Sequence, residues 1–122
     1  MSDYYTVKKF KIDQFDIIVD WRYEDVSIRD MFDETEEQYI WMKHRLDACI
    51  DTHYIARVRA MYDGVEMGCN TLGSCYASGC SPEDDINNGI NGYLQDMVDQ
   101  ALDEARKEAV RMLDRLKADF LS

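Results

Sequence analysis

Residues 53 to 72, "HYIARVRAMYDGVEMGCNTL", contain the pattern that decides the fold. Apolar and polar side chains alternate in the first half, and a period of two is typical of a strand that buries one face. Asp63-Gly64 separates this run from the next. Asp-Gly between two such runs is a strong signal for a type I′ hairpin, because both central residues need a positive φ. The stretch therefore predicts antiparallel strands over residues 53–62 and 65–72.

The chain before this hairpin carries two more strand patterns. Residues 14–24, "QFDIIVDWRYE", place Phe15, Ile17 and Val19 on the same face as Trp21, with acids and Arg22 on the other. Residues 4–12 form a weaker pattern that needs an irregularity to keep one face apolar. No Gly separates the two runs, so both a hairpin and one long bent strand remain open.

Two helices are predicted. Thr35-Glu36-Glu37-Gln38 has the form of a capping box, and apolar residues at helical spacing follow it, which indicates a helix over about 36–50. A second apolar stripe indicates a long helix over about 93–121, with acids in its first half and bases in its second, as the helix dipole favours. Ser81-Pro82 suits a short helix opening, which "NNGINGY" soon interrupts.

These elements predict an α+β fold in a single domain spanning residues 1–122. An antiparallel sheet of four strands, over about 4–12, 14–24, 53–62 and 65–72, packs against the long C-terminal helix and the shorter helix. The other face of the sheet is expected to be polar.

The stretch "GCNTLGSCYASGC", residues 68–80, raises the question of a metal or redox site. Five residues separate Cys69 from Cys75 and four separate Cys75 from Cys80, and no second cysteine pair follows, so the spacing does not fit a zinc knuckle. We interpret the stretch as the end of a strand followed by a connection, where glycines ease the backbone conformation. Cys69 and Cys75 are then small buried side chains. We expect no metal and no cofactor.

Motifs for catalysis are weak. His44 falls in a helix beside basic residues, His53 opens a strand, and neither belongs to a nucleophile motif with an orienting acid. The chain lacks a glycine-rich phosphate loop of either common form. The sequence therefore favours a protein that is not an enzyme.

Net charge is the most pronounced feature of the composition. Twenty-five acids against fourteen bases give −11, which disfavours direct binding to nucleic acid or to an anionic membrane. No apolar run is long enough to cross a bilayer, and residues 1–15 lack the features of a secretory signal. We expect a cytoplasmic protein with reduced thiols.

The acids fall in two clusters, which we interpret as a surface that binds a basic partner. A charge of −11 exceeds the magnitude of about 2 to 8 that suits the solubility of a small domain. Carboxylates spread over a surface present a potential like that of a phosphate backbone, so they suit the basic nucleic-acid channel of another protein. The candidate residues are Asp30, Asp33, Glu34, Glu36 and Glu37 in the first cluster, and Glu83, Asp84, Asp85, Asp96, Asp99 and Asp103 in the second.

The second half of the chain also resembles a family of small accessory proteins of tailed phages and prophages. The likeness covers residues 45–104 and lies in "RLDACID", "ARVRA", "LGSCYAS" and "GYLQDMVDQAL". The family carries no established activity, so no catalytic residue transfers from it. The resemblance implies a virus-encoded protein that acts in the cytoplasm of a host bacterium.

Small acidic phage proteins often block restriction enzymes or CRISPR complexes by occupying their nucleic-acid surfaces, so we expect inhibition of such a complex, by DNA mimicry. Two alternatives stay open. One is a phage assembly protein that forms a homodimer through a sheet edge or through a surface rich in Met, namely Met61, Met67, Met97 and Met112. The other is a small-ligand module with Tyr76 and Tyr93 as the walls of its site.

Overall fold

The computed structural model describes residues 3–24, 37–48 and 51–121. Its elements follow one another as strands β1 and β2, helix α1, strands β3 and β4, and helices α2 and α3. Their bounds are β1 Tyr5–Ile12, β2 Phe15–Tyr23, α1 Glu37–Asp47, β3 Thr52–Tyr62, β4 Val65–Ala77, α2 Pro82–Asn87 and α3 Tyr93–Phe120. The predicted α+β class is confirmed.

The four strands form one antiparallel sheet in the order β1-β2-β3-β4. The β3–β4 hairpin turns at Asp63-Gly64 as predicted. Asp63 has φ 49° and Gly64 has φ 79°, the positive values that this turn requires. Each described strand therefore pairs with its neighbour in the chain, and β1 and β4 lie at the edges of the sheet.

The first two strands form a hairpin, which settles the alternative that the sequence left open. Ile12 pairs with Phe15, so Asp13 and Gln14 alone make the turn. Asp13 has φ 55°, a conformation that a short polar side chain tolerates better than most residues. A register shift between Thr6 and Lys8 supplies the irregularity that the weaker strand pattern needs.

The main core lies between the sheet and the first half of α3. β2 and β3 contribute alternate residues that are almost wholly buried, and α3 contributes the stripe that faces them. The fully or nearly fully buried members include Ile17, Val19, Tyr54, Ala56, Val58, Met97, Val98, Ala101 and Leu102. Because Met67 is also buried, two members of the expected methionine surface, Met67 and Met97, belong to the core.

Strand β4 is longer than predicted. It continues through Gly73 to Ala77, so the expected strand end near residue 72 is wrong, although Cys75 is buried as expected. Gly68 has a packing role instead of ending the strand. A Cβ atom built on Gly68 would lie 2.1 Å from the carbonyl oxygen of Ala101, so the absent side chain lets α3 approach the strand closely.

The opposite face of the sheet is polar but partly buried. Asp20 is only 1% exposed, and its carboxylate accepts hydrogen bonds from Arg57 Nε at 2.8 Å and from Arg57 Nη2 at 2.6 Å. Arg59 Nη2 donates a third bond at 3.2 Å. The guanidinium of Arg57 also lies 3.5 Å from the centre of the Tyr4 ring. The alternation that predicted a polar face thus produced an ion-pair network across β2 and β3.

Helix α1 packs outside the main core. Its buried residues Tyr39 and Met42 cluster with Tyr76 of β4. Tyr76 pairs with His53 across the sheet, so it lies on the face opposite to Tyr54 and α3. The shorter helix and the long helix therefore do not share one layer.

Asp51 joins α1 to the sheet and to the segment after β4. Its carboxylate accepts hydrogen bonds from Arg45 Nε at 2.6 Å, the Tyr76 hydroxyl at 2.5 Å and the backbone N–H of Gly79 at 2.7 Å. Burial alone would raise the pKa of Asp51, but these hydrogen bonds outweigh it and lower the pKa.

The predicted start of α2 is confirmed. The hydroxyl of Ser81 accepts a hydrogen bond from the backbone N–H of Asp84 at 3.1 Å, and Pro82 occupies the first turn. The predicted capping box at Thr35 and Glu36 lies outside the described residues.

Candidate partner-binding surface

The first half of α3 carries a row of exposed carboxylates on its outer side. Asp96, Asp99 and Asp103 are separated by three and four positions, so they lie on one side of the helix and about 5–6 Å apart from turn to turn. All three are exposed, as is Glu104 beside them. Residues 81–104 contain no Lys or Arg, so this row begins in a segment of one charge sign.

A shallow groove of about 550 Å³ runs between this row and strand β4. The side chain of Asn70 on β4 donates a hydrogen bond to Gln100 Oε1 on α3 at 3.0 Å, which fixes the helix beside the strand. Three carboxylates and one ammonium group line the groove together with these two amides. The lining residues are Asn70, Asp99, Gln100, Asp103, Glu104 and Lys107.

Neighbouring side chains contact two of these acids without burying them. Lys107 Nζ lies 2.9 Å from Asp103 Oδ2, and both side chains are more than two-thirds exposed. An exposed ion pair of this kind contributes little stability and is screened by salt. A cationic group of a partner can therefore replace Lys107 beside Asp103. Gln95 donates a hydrogen bond to Asp99 Oδ1 at 2.9 Å, which leaves the charge of Asp99 in place.

Two acids of the second predicted cluster have structural partners instead. Glu83 Oε1 accepts a hydrogen bond from Trp21 Nε1 at 2.9 Å, and Asp85 accepts one from the hydroxyl of Tyr54. Both carboxylates thus anchor α2 against the core residues of β2 and β3. Glu83 and Asp85 are half-buried, and each serves as the acceptor that a buried aromatic donor needs. Asp84 between them is exposed.

Only one residue of the first predicted cluster can be placed. Glu37 is exposed at the start of α1. Asp30, Asp33, Glu34 and Glu36 lie outside the described residues.

Strand β4 adds a feature that the sequence reasoning missed. Among the described residues β4 is an edge strand that pairs with β3, and an edge strand offers its backbone N–H and C=O groups for pairing with another chain. Residues 67–82 contain no charged side chain. The opposite edge, β1, carries three lysines, which discourage strand pairing. Asn70, Gln100 and Glu104 of the groove were also missed. Two signals for these residues were available in the sequence. One is a polar Asn inside a predicted strand, and the other is the spacing of four between Gln100 and Glu104.

The cysteines of residues 68–80 are free thiols. The Cys75 thiol donates a hydrogen bond to the carbonyl of Leu72 at 3.4 Å, and burial raises its pKa to about 11. A thiol with a raised pKa is a poor nucleophile at neutral pH. Within residues 3–24, 37–48 and 51–121, no three His, Cys, Asp or Glu side chains are grouped closely enough to hold a metal ion.

A second cavity, of about 320 Å³, lies under the turn before α3. Tyr76 and Tyr93, the two expected walls, both line it, and Cys75 and Asp85 line it as well. The turn has four successive residues with positive φ, from Gly89 to Gly92, and two of them are Ile90 at 49° and Asn91 at 53°. A left-handed conformation is costly for a β-branched residue such as Ile90, and such strain tends to cluster where ligands bind.

No known protein-family model, curated protein or solved structure matches the chain. None of the described helices is long and apolar enough to cross a membrane.

Proposed function

We propose that this is a non-enzymatic binding protein that uses the acidic side of α3 to occupy a basic, nucleic-acid-binding surface of another protein. The observation that carries the proposal is the row of Asp96, Asp99 and Asp103 beside an uncharged sheet edge. An electrostatically complementary partner is steered to such a row by its field.

The groove beside β4 determines what form of partner segment can reach the carboxylates. A partner segment that lies along the groove meets carboxylates on one side and the backbone of the edge strand on the other. Strand addition supplies main-chain hydrogen bonds, and flanking charges select the partner. The proposed partner segment is therefore extended and rich in Arg and Lys.

In its finer form the proposal is that the protein is a phage-encoded inhibitor of a bacterial defence complex, of the anti-CRISPR or anti-restriction type, that acts by DNA mimicry. The net charge of −11 and the resemblance to phage accessory proteins support it. Such complexes hold nucleic acid through clustered Arg and Lys. The expected site of action is the bacterial cytoplasm.

The test is protection of DNA from purified restriction and CRISPR nucleases. The protein should slow DNA cleavage by its target in proportion to its concentration, and added DNA should relieve the inhibition by competition. The triple variant Asp96→Asn, Asp99→Asn, Asp103→Asn removes three charges from exposed positions and should lower the inhibitory potency by at least tenfold.

The matched control removes three charges elsewhere. Asp16→Asn, Asp63→Asn, Asp114→Asn changes the net charge equally at exposed positions away from the groove, and it should keep most of the potency. An equal loss of inhibitory potency in both triple variants would show that inhibition depends on net charge and not on the acidic row of α3. Full potency in the α3 variant would refute the proposed surface.

A small-ligand module is the second candidate function, and the cavity under residues 89–92 favours it. Two tyrosines and the carboxylate of Asp85 suit a flat ligand with hydrogen-bond donors. A bound ligand raises the melting temperature by mass action. A thermal-shift screen with nucleotides and metals should show a rise that Tyr93→Ala abolishes, and no rise with any compound would remove this candidate.

A further inference from the structure

The second half of α3 carries an apolar stripe that the described chain leaves uncovered. Leu113 is 52% exposed, Leu116 is 51% exposed and Phe120 is 76% exposed, although the stripe continues the one that packs in the core. A contiguous apolar surface of this kind marks an interaction site more often than a scatter of single residues does.

This stripe forms one wall of a groove of about 600 Å³. The other wall is the hairpin end of the sheet, which contributes Phe15, Tyr62 and Met67. Arg106 Nη2 and Asp13 Oδ2, 2.7 Å apart, close the groove where the helix leaves the sheet. From Val110 to Leu121 every residue is exposed.

We propose that the occupant of this groove is a second copy of the chain, so that two α3 helices pair antiparallel through their second halves. The positions 109, 113, 116 and 120 follow one another at intervals of four, three and four, which is the spacing of a coiled-coil seam. A symmetric dimer uses the same patch on both subunits, and this seam is available on both.

Antiparallel pairing also fits the groove. With the twofold axis at Leu113, Phe120 of one copy lies level with Arg106 of the other, because each is seven residues from the axis. Phe120 then reaches the hairpin end of the other copy, where Phe15 and Tyr62 supply an aromatic contact.

Charge favours the antiparallel direction of this pairing. Residues 105–121 carry five bases and three acids, so the segment is net positive in a chain of −11. The hairpin turns carry the exposed acids Asp63 and Asp13, of which Asp13 pairs with Arg106. Antiparallel pairing places the two acidic bodies at opposite ends of the pair, whereas parallel pairing places them side by side and lets them repel. Pairing through the β4 edges would likewise bring the two acidic rows together.

Sedimentation velocity of the full chain over a wide range of concentrations tests the dimer. We expect twice the chain mass of 14.3 kDa, in high salt as well as low, because the seam is apolar. The variant Leu113→Asp, Leu116→Asp should be a monomer with an unchanged far-ultraviolet circular dichroism spectrum, since both side chains are half exposed in the single chain.

Arg115→Asp is the control, because it changes the net charge by the same two units on the polar side of the same helix, where its side chain is 83% exposed. It should remain a dimer. A monomeric wild-type chain, a dimeric double variant or a monomeric control would each overturn the proposal. None of these outcomes depends on the acidic row, so this test and the nuclease test fail independently.

Discussion

Asp20 is the residue on which the polar side of the sheet depends. Its carboxylate is almost fully buried and faces two guanidinium groups, of which Arg57 is 18% and Arg59 is 24% exposed. A buried ion pair is weak evidence of net stability, because the desolvation free energy of the two charges is about as large as the free energy of their attraction. Removal of one partner is costly nevertheless, since the remaining charges lose their compensation.

Asp20→Asn should lower the free energy of unfolding by about 3 kcal/mol, because it leaves two partly buried guanidinium groups without a counter-charge. Urea unfolding measures the difference. Asp16→Asn is the control on the same face of the same strand, where the contact to Lys11 is 3.9 Å long and exposed. It should cost less than about 1 kcal/mol. Equal effects of the two substitutions would contradict the role given to Asp20.

His53 predicts a pH dependence. Burial lowers its pKa below the ordinary value of about 6.5, and nearby Glu24 opposes the shift only in part. Nε2 of His53 is buried without a hydrogen-bond partner among the described residues. The folded chain therefore holds His53 neutral, while the unfolded chain takes up a proton below about pH 6.5.

Stability from His53 is thus fully present above about pH 6.5 and is lost as the pH falls toward its lower folded pKa. One proton limits the slope to about 1.4 kcal/mol per pH unit. Urea unfolding at a series of pH values should give a smaller loss of stability between pH 7.5 and 5.5 for His53→Gln than for the wild type. Identical slopes would show that His53 titrates normally in the folded chain.

At the scale of the element, close approach decides where α3 lies. Gly68 permits the contact between β4 and the helix backbone at Ala101 and Ala105, where an added Cβ would meet main-chain atoms at 2.1 Å and 2.8 Å. The clashing atoms belong to the helix backbone, which shifts less easily than the end of a flexible side chain.

Gly68→Ala should therefore lower the free energy of unfolding by about 3 kcal/mol, the upper part of the range for overpacking. Gly73→Ala in the same strand is the control, because a Cβ there meets only the Glu24 carboxylate at 3.5 Å, an ordinary contact. It should change stability by less than about 1 kcal/mol. Chemical denaturation of both variants checks the pair, and a tolerated Gly68→Ala would contradict the packing assigned to this glycine.

Local patterns explain why the elements were predictable. The Asp63-Gly64 turn, the alternation of β2 and β3 and the stripe of α3 are all local signals, and the structure has each of them. The Asp13-Gln14 turn has no glycine, so its hairpin stayed open until the register was known. The continuation of β4 past Gly73 and the position of α1 depend on contacts between distant residues, which the local pattern does not contain.

The candidate surface was predictable only in part for the same reason. The helical spacing of Asp96, Asp99 and Asp103 put them on one side of α3 from sequence alone. The inward contacts of Glu83 and Asp85 required the positions of Trp21 and Tyr54. Charge counts do not distinguish a carboxylate that binds a buried donor from one that faces solvent.

At the scale of the whole molecule, charge and apolar surface are separated along α3. Its first half presents carboxylates beside an edge strand, and its second half presents a basic and apolar seam. We propose that the first half binds a basic partner and that the second half binds a second copy. A dimer of this form would carry two acidic surfaces at its two ends.

The measurement that tests the central claim most directly is affinity capture from a bacterial lysate, with the captured proteins eluted by a salt gradient and identified by mass spectrometry. We expect the wild type and the Asp16→Asn, Asp63→Asn, Asp114→Asn control to capture the same nucleic-acid-binding protein. That protein should elute at moderate salt, because screening weakens exposed charge contacts over about 8 Å at physiological ionic strength. The Asp96→Asn, Asp99→Asn, Asp103→Asn variant should not capture it. Capture of the same protein by that variant, or elution that does not depend on the salt concentration, would contradict binding through the acidic row of α3.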